Sequence, residues 1–119
     1  MSFTPNNIVR DGKLVAQEGI ETELASTNDY VEVFTCDYSK WQFINLGAKN
    51  TGSDTITVKV TGKIHASGEE YTLIEKDITA GSLHRLLSSA QIAYSRIILY
   101  VKSTVADTPG TIKAEYFMK

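Results

Sequence analysis

The sequence is poor in the residues that do chemistry. Its 119 residues include one cysteine, Cys36, so no disulfide forms within the chain and a disulfide scaffold is excluded. Such usage suits folding in a reducing cytosol. The two histidines, His65 and His84, share no His-x-His, His-x-x-x-His or Cys/His spacing, which argues against a zinc site. There is no Asp-x-Asp-x-Asp-Gly calcium loop. The eight glycines are scattered among turns rather than gathered around a phosphate. The longest apolar run, residues 97–101, is far too short to span a bilayer. The start, Met-Ser-Phe-Thr-Pro, has neither the basic nor the apolar region of a signal peptide. A soluble protein, not exported by the standard route, is the expectation. One-sided charge is missing too. Twelve Lys and Arg stand against fourteen Asp and Glu, for a formal net charge of −2. Phosphate neutralisation needs a concentrated basic patch, so no nucleic-acid partner is expected, and likewise no membrane, metal or cofactor.

What the chain has is rhythm. From about residue 13 to 118 it reads as seven or eight short apolar runs, most alternating with a period of two, cut apart by turn formers. Residues 56–64 are the clearest. Ile56, Val58, Val60 and Ile64 face one way, and Thr57, Lys59, Thr61 and Lys63 the other. Strands of this kind at this spacing predict an all-β fold, an antiparallel β-sandwich of jelly-roll or immunoglobulin-like type. The predicted core includes Val31, Val33, Trp41, Phe43, Val58, Val60, Ile64, Leu73, Leu86, Ile97, Leu99, Ile112 and Ala114.

The period changes once. Leu83, Leu86, Leu87 and Ala90 fall at i, i+3, i+4 and i+7, which predicts one short helix over residues 82–90, with Ser82 as cap and Gly81 before it. Asp11-Gly12 suits a tight turn between residues 8–10 and 13–16. Asp107-Thr108-Pro109-Gly110 is a strong turn signal, and residues 94–102 and 111–118 on its two sides read as a hairpin. A single domain over residues 13–119, preceded by an N-terminal arm over 1–12, is the expected organisation.

No constellation points to catalysis, so the protein is not expected to be an enzyme. Cys36 has no histidine near it in sequence and reads as a buried strand residue. Glu69 and Glu70 are neighbours at a turn. On a strand they would point to opposite faces, and cannot form the carboxylate clamp of a glycosidase. Trp41, Phe43 and the six tyrosines are the better candidates for recognition, by stacking on sugars or at a protein interface, although a sandwich also needs large residues between its sheets.

Three stretches carry a resemblance: Trp41-Gln42-Phe43-Ile44-Asn45-Leu46-Gly47, then Ile78-Thr79-Ala80-Gly81-Ser82, and the run from Tyr94 to Ser103 followed by Thr108-Pro109-Gly110-Thr111-Ile112. In them the chain resembles small β-sandwich structural proteins of phages and viruses, of the capsid decoration or tail-associated type. Immunoglobulin-like and carbohydrate-binding domains share these features, and the Cys–Trp–Cys pattern of true immunoglobulin domains is missing. The resemblance implies a non-enzymatic virion protein made in the host cytoplasm, bound to coat or other virion proteins or to copies of itself. A carbohydrate-binding or adhesion module is the alternative. Residues 1–7 are too polar to order themselves by burying apolar surface. The expected interface therefore begins there, with Phe3 as anchor and Asn6 and Asn7 hydrogen-bonding along a sheet edge.

Overall fold

The structure is a computed structural model that describes residues 5–90 and 94–119. Among the described residues nine strands form two antiparallel sheets: β1 Asn6–Arg10, β2 Lys13–Ala25, β3 Val31–Asp37, β4 Phe43–Asn50, β5 Ile56–Lys63, β6 Glu70–Ile78, β7 Leu83–Ala90, β8 Arg96–Ser103 and β9 Thr111–Met118. The strand order is β1-β2-β9-β4-β7 in the five-stranded sheet and β3-β8-β5-β6 in the four-stranded one. The pairs β2–β9, β3–β8, β4–β7 and β5–β6 are nested, as if one long hairpin had been rolled up. That is the jelly-roll arrangement, and it decides between the two expected types.

The core lies between the sheets and is built from alternate residues. Ile56, Val58 and Val60 of β5 meet Ile97, Leu99 and Val101 of β8, and all six are fully buried. Facing them are Ile44, Leu46 and Ala48 of β4 and Ile112, Ala114, Tyr116 and Met118 of β9. Of the expected core, Phe43 and Ile64 are exposed, at 44% and 63%. Phe43 opens β4 on its outer face, because Ile44, Leu46 and Ala48 take the inner one. Ile64 lies past the end of β5, where the alternation no longer applies. Val31, Trp41 and Leu73 are partly buried against the core.

The expected helix over residues 82–90 is strand β7. Its ladder with β4 contains a bulge: Leu46 pairs with Leu87 but Gly47 pairs with Arg85, so Leu86 is an extra residue. The bulge lets both Leu86 and Leu87 pack on the core, and a strand with one inserted residue then mimics the helical spacing. The expected hairpin of β8 with β9 is also absent. These strands lie in different sheets, and residues 104–110 carry the chain from one sheet to the other. Within the segment read as an arm, residues 6–10 are β1, joined to β2 by a turn in which Asp11 and Gly12 both have positive φ.

Four connections cross between the sheets at one end: β2 to β3, β4 to β5, β6 to β7 and β8 to β9. Two buried polar side chains tie them. Asn50, at 0% exposure, donates to the carbonyls of Asp54 at 2.7 Å and Ile78 at 2.9 Å and accepts from the Gly52 N–H at 2.9 Å. Ser26 Oγ accepts from the Gly110 N–H at 2.7 Å and shares a hydrogen bond with Ser103 Oγ at 2.8 Å. Gly110 must be glycine, since a Cβ there would meet Ile56 Cγ2 at 2.6 Å.

Asn50→Ala strands the buried Ile78 carbonyl, at about 1–3 kcal/mol, and removes two part-buried hydrogen bonds, at about 0.5–1.5 kcal/mol each. A loss of at least about 3 kcal/mol is expected from urea unfolding, whereas exposed Asn45→Ala on the same strand stays within about 0.5 kcal/mol. Val60→Asp places an unpartnered charge in the core and is expected to cost roughly 3–5 kcal/mol. Its neighbour Lys59 faces outward but is not idle, its Nζ standing 4.3 Å from the Tyr30 ring centroid and 5.3 Å from that of Tyr100. Lys59→Asp is therefore expected to cost about 1 kcal/mol in the same measurement.

Candidate functional site

The two outer faces are built differently. On the four-stranded sheet the polar side chains close on one another. Tyr30 Oη donates to Glu75 at 2.5 Å, and Tyr100 Oη donates to Glu70 at 2.6 Å. Thr61 Oγ1 donates to the same Glu70 oxygen at 2.7 Å, and Thr57 Oγ1 to Asp77 at 2.8 Å. Lys59 and Lys102 lie over the Tyr30 ring, and Arg96 pairs with Asp37 at 3.1 Å. Burial, then the hydrogen bond to Glu70, pushes the Tyr100 phenol up. The hydrogen bonds from Tyr100 and Thr61, helped by Lys63 and Lys59, hold the Glu70 carboxyl below its usual range. This face keeps its donors and acceptors occupied.

The outer face of the five-stranded sheet is open. By register, one row across it runs Asn6, Glu18, Phe117, Asn45, Ser88, and the next Ile20, Glu115, Gly47, Arg85. Ile20, Leu83 and Phe117 are 49%, 69% and 38% exposed. They surround a shallow groove of about 810 Å³, whose lining also includes Asn6, Glu18, Asn45, Gly47, His84, Arg85 and Glu115. Gly47, lacking a side chain, leaves the gap between Glu115 and Arg85 unfilled. Phe43 lies on the same face, with Lys119 Nζ 5.8 Å from its ring centroid. Large apolar side chains clustered on an outer sheet face mark a docking surface.

Sheet edges are poorer candidates. Each edge strand, β1, β3, β6 and β7, pairs through a ladder with a register shift, as does the inner β2–β9 ladder, while β4–β9 and β5–β8 are regular. Bulges twist an edge away from edge-to-edge pairing.

Of the expected interface residues, Phe3 lies outside the described residues. Asn6 Nδ2 donates to Glu18 at 3.0 Å and stands at the rim of the groove. Asn7 accepts from Gln17 Nε2 at 2.8 Å. Both are engaged with β2 of their own chain. Sequence reasoning missed Ile20, Leu83 and Phe117. Leu83 was assigned to a helix face, and no pattern in the sequence singles out Ile20 or Phe117. His84 lies at the groove, His65 accepts the Ser67 N–H in an exposed turn, and the two do not meet. Cys36 is fully buried and burial pushes its thiol up, so no thiolate nucleophile is prepared there. No group of three or more potential metal ligands occurs among the described residues. No helix among them is long and apolar enough to cross a membrane.

No protein-family model and no curated protein matches the chain. Solved structures do. One is PirA, at 13% identity and a TM-score of 0.62, covering 82% of this chain and 92% of that one. Another is a protein of Bacillus endospore appendages, described as disulfide-linked pili, at 12% identity and a TM-score of 0.58, covering 100% of this chain and 91% of that one. At these identities the likeness is one of fold, a β-sandwich.

The Glu70 cluster makes a pH prediction. Its folded-state pKa is depressed, so the stability it contributes is present above the unfolded carboxylate range and lost as pH falls through the folded value. Tyr100→Phe removes the largest cause. Thermal unfolding followed from neutral to acid pH should show a smaller acid loss in this variant than in the unmodified protein.

Proposed function

We propose that this chain is a non-enzymatic structural subunit that works through protein–protein contacts within a larger assembly. The setting proposed for it is a virion, in a decoration, minor-capsid or tail-associated position. Coat proteins or further copies would be its partners, and it would be made in the host cytoplasm. The observation that carries this reading is the contrast between the outer faces: one closed by its own hydrogen bonds, the other leaving Ile20, Leu83 and Phe117 exposed around a groove. The bulged edges point contacts to that face rather than to strand addition. The fold likeness to a pilus protein is compatible with an assembling role. A disulfide link is not carried over, because the one cysteine here is buried.

A carbohydrate-binding module is the second reading. The groove favours it by placing Asn6, Glu18, Asn45 and Arg85 beside the Phe117 ring. Against it, the Trp41 ring is packed against the core and no tryptophan lines the groove, although indole and phenol rings suit sugar stacking better.

The test is sedimentation velocity with particle imaging, set beside a glycan array. Association that is lost in an Ile20→Ser/Phe117→Ser variant with an unchanged unfolding midpoint is the expected result. A protein that stays monomeric, ignores coat particles and binds a glycan through the groove would replace the first reading with the second.

A further inference from the structure

Resting on the assembly reading, we infer that the occupant of the outer-face groove is the β1–β2 turn of a second copy of this chain. The first argument is shape. The ladder between β2 and β9 begins at Gln17, so residues 13–16 of β2 pair with β1 alone. Val15 is a bulge, so three rungs, at about 3.3 Å each, carry the hairpin roughly 10 Å past that ladder, in a molecule 47 Å long but 29 and 24 Å across. A projecting tip fits a concave groove, whereas two concave faces do not fit each other.

The second argument is apolar surface. At the tip Val9 and Leu14 are cross-strand partners, 60% and 42% exposed. They form an apolar pair on a hairpin with no inner layer to cover it. The groove offers Ile20, Leu83 and Phe117. Neither patch is buried by its own chain.

Charge supplies the third. The turn carries Arg10 and Lys13 against a single carboxylate, Asp11, and the groove carries Glu18 and Glu115 against a single guanidinium, Arg85. The tip is net basic and the groove net acidic, which favours this pairing and disfavours tip on tip or groove on groove. Tip and groove are separate patches, so every copy offers one of each. The β1 segment, expected to reach a partner through Phe3, thus acts through the turn that follows it.

The test reverses each charge set. Variant one carries Arg10→Glu and Lys13→Glu. Variant two carries Glu18→Lys and Glu115→Lys. The unmodified protein should self-associate in sedimentation velocity, less so as salt rises. Each variant alone should associate at least about tenfold more weakly, about 1.4 kcal/mol. The mixture should recover, because each tip then meets a groove of opposite sign. Val9→Ser/Leu14→Ser, at exposed positions, provides a folded variant that should also weaken association at least about tenfold. A protein monomeric at every concentration overturns the inference, as does equal association by the unmodified protein and all three variants. If the monomer nevertheless binds a coat particle through Ile20 and Phe117, this inference fails while the assembly reading stands.

Discussion

The architecture depends on how one end of the sandwich is closed. In a rolled-up hairpin most connections leave one sheet and enter the other, and here four do so together at one end. Such connections bring backbone polar groups into a region shielded from water, where each unpaired group is costly. Asn50 answers this with two donated hydrogen bonds and one accepted, joining the end of β4, the following loop and the last residue of β6. Ser26 does the same for the paths from β2 to β3 and from β8 to β9. With those crossings fixed, Ile56 and Ile112 are held at 0% exposure between the sheets.

At the opposite end two further connections cross, β3 to β4 and β7 to β8, and beside them the chain leaves one hairpin uncovered. The β1–β2 turn runs past the rest of its sheet, and its apolar pair faces water. Function, on the reading adopted above, belongs to that end and to the outer face behind it. The polar network on the four-stranded sheet is the complement of this arrangement. Alternating Lys, Glu and Tyr side chains are occupied with one another, so that face has little to offer a partner. Asymmetry between the two faces gives a small, mildly acidic domain a directional surface.

The sandwich was legible because alternation in the sequences of β5 and β9 is clean: Ile56, Val58 and Val60, then Ile112 and Ala114, all turn inward. Where a strand was read as a helix, an inserted residue had broken the period. Val33 and Phe34, Leu73 and Ile74, and Leu86 and Leu87 are adjacent apolar pairs at bulges in β3, β6 and β7. Only the last pair had leucine and alanine neighbours at helical spacing, and there the bulge passed for a helix. Doubled apolar residues in otherwise alternating strands were the available signal. Strand partnership was not legible at all. Period says which face a residue takes, not which sheet its strand joins, and so β8 and β9 read as a hairpin across a turn that spans two sheets. The candidate site suffered for the same reason. Ile20, Phe117 and Leu83 lie on strands distant in sequence, and only the order β2-β9-β4-β7 brings them to one face.

The bulge in β7 connects these observations. It protects an edge, because the extra Leu86 disturbs the row of free backbone groups that another strand would read. The same insertion falls beside Gly47, the one groove-row position without a side chain, and re-aims the strand that carries Leu83, His84 and Arg85 along the groove wall. Bulges bend the strand that bears them and increase its local twist, which suits both a concave face and a blunted edge. On the assembly reading proposed above, the device that suits a partner on the face is the one that discourages a partner at the edge.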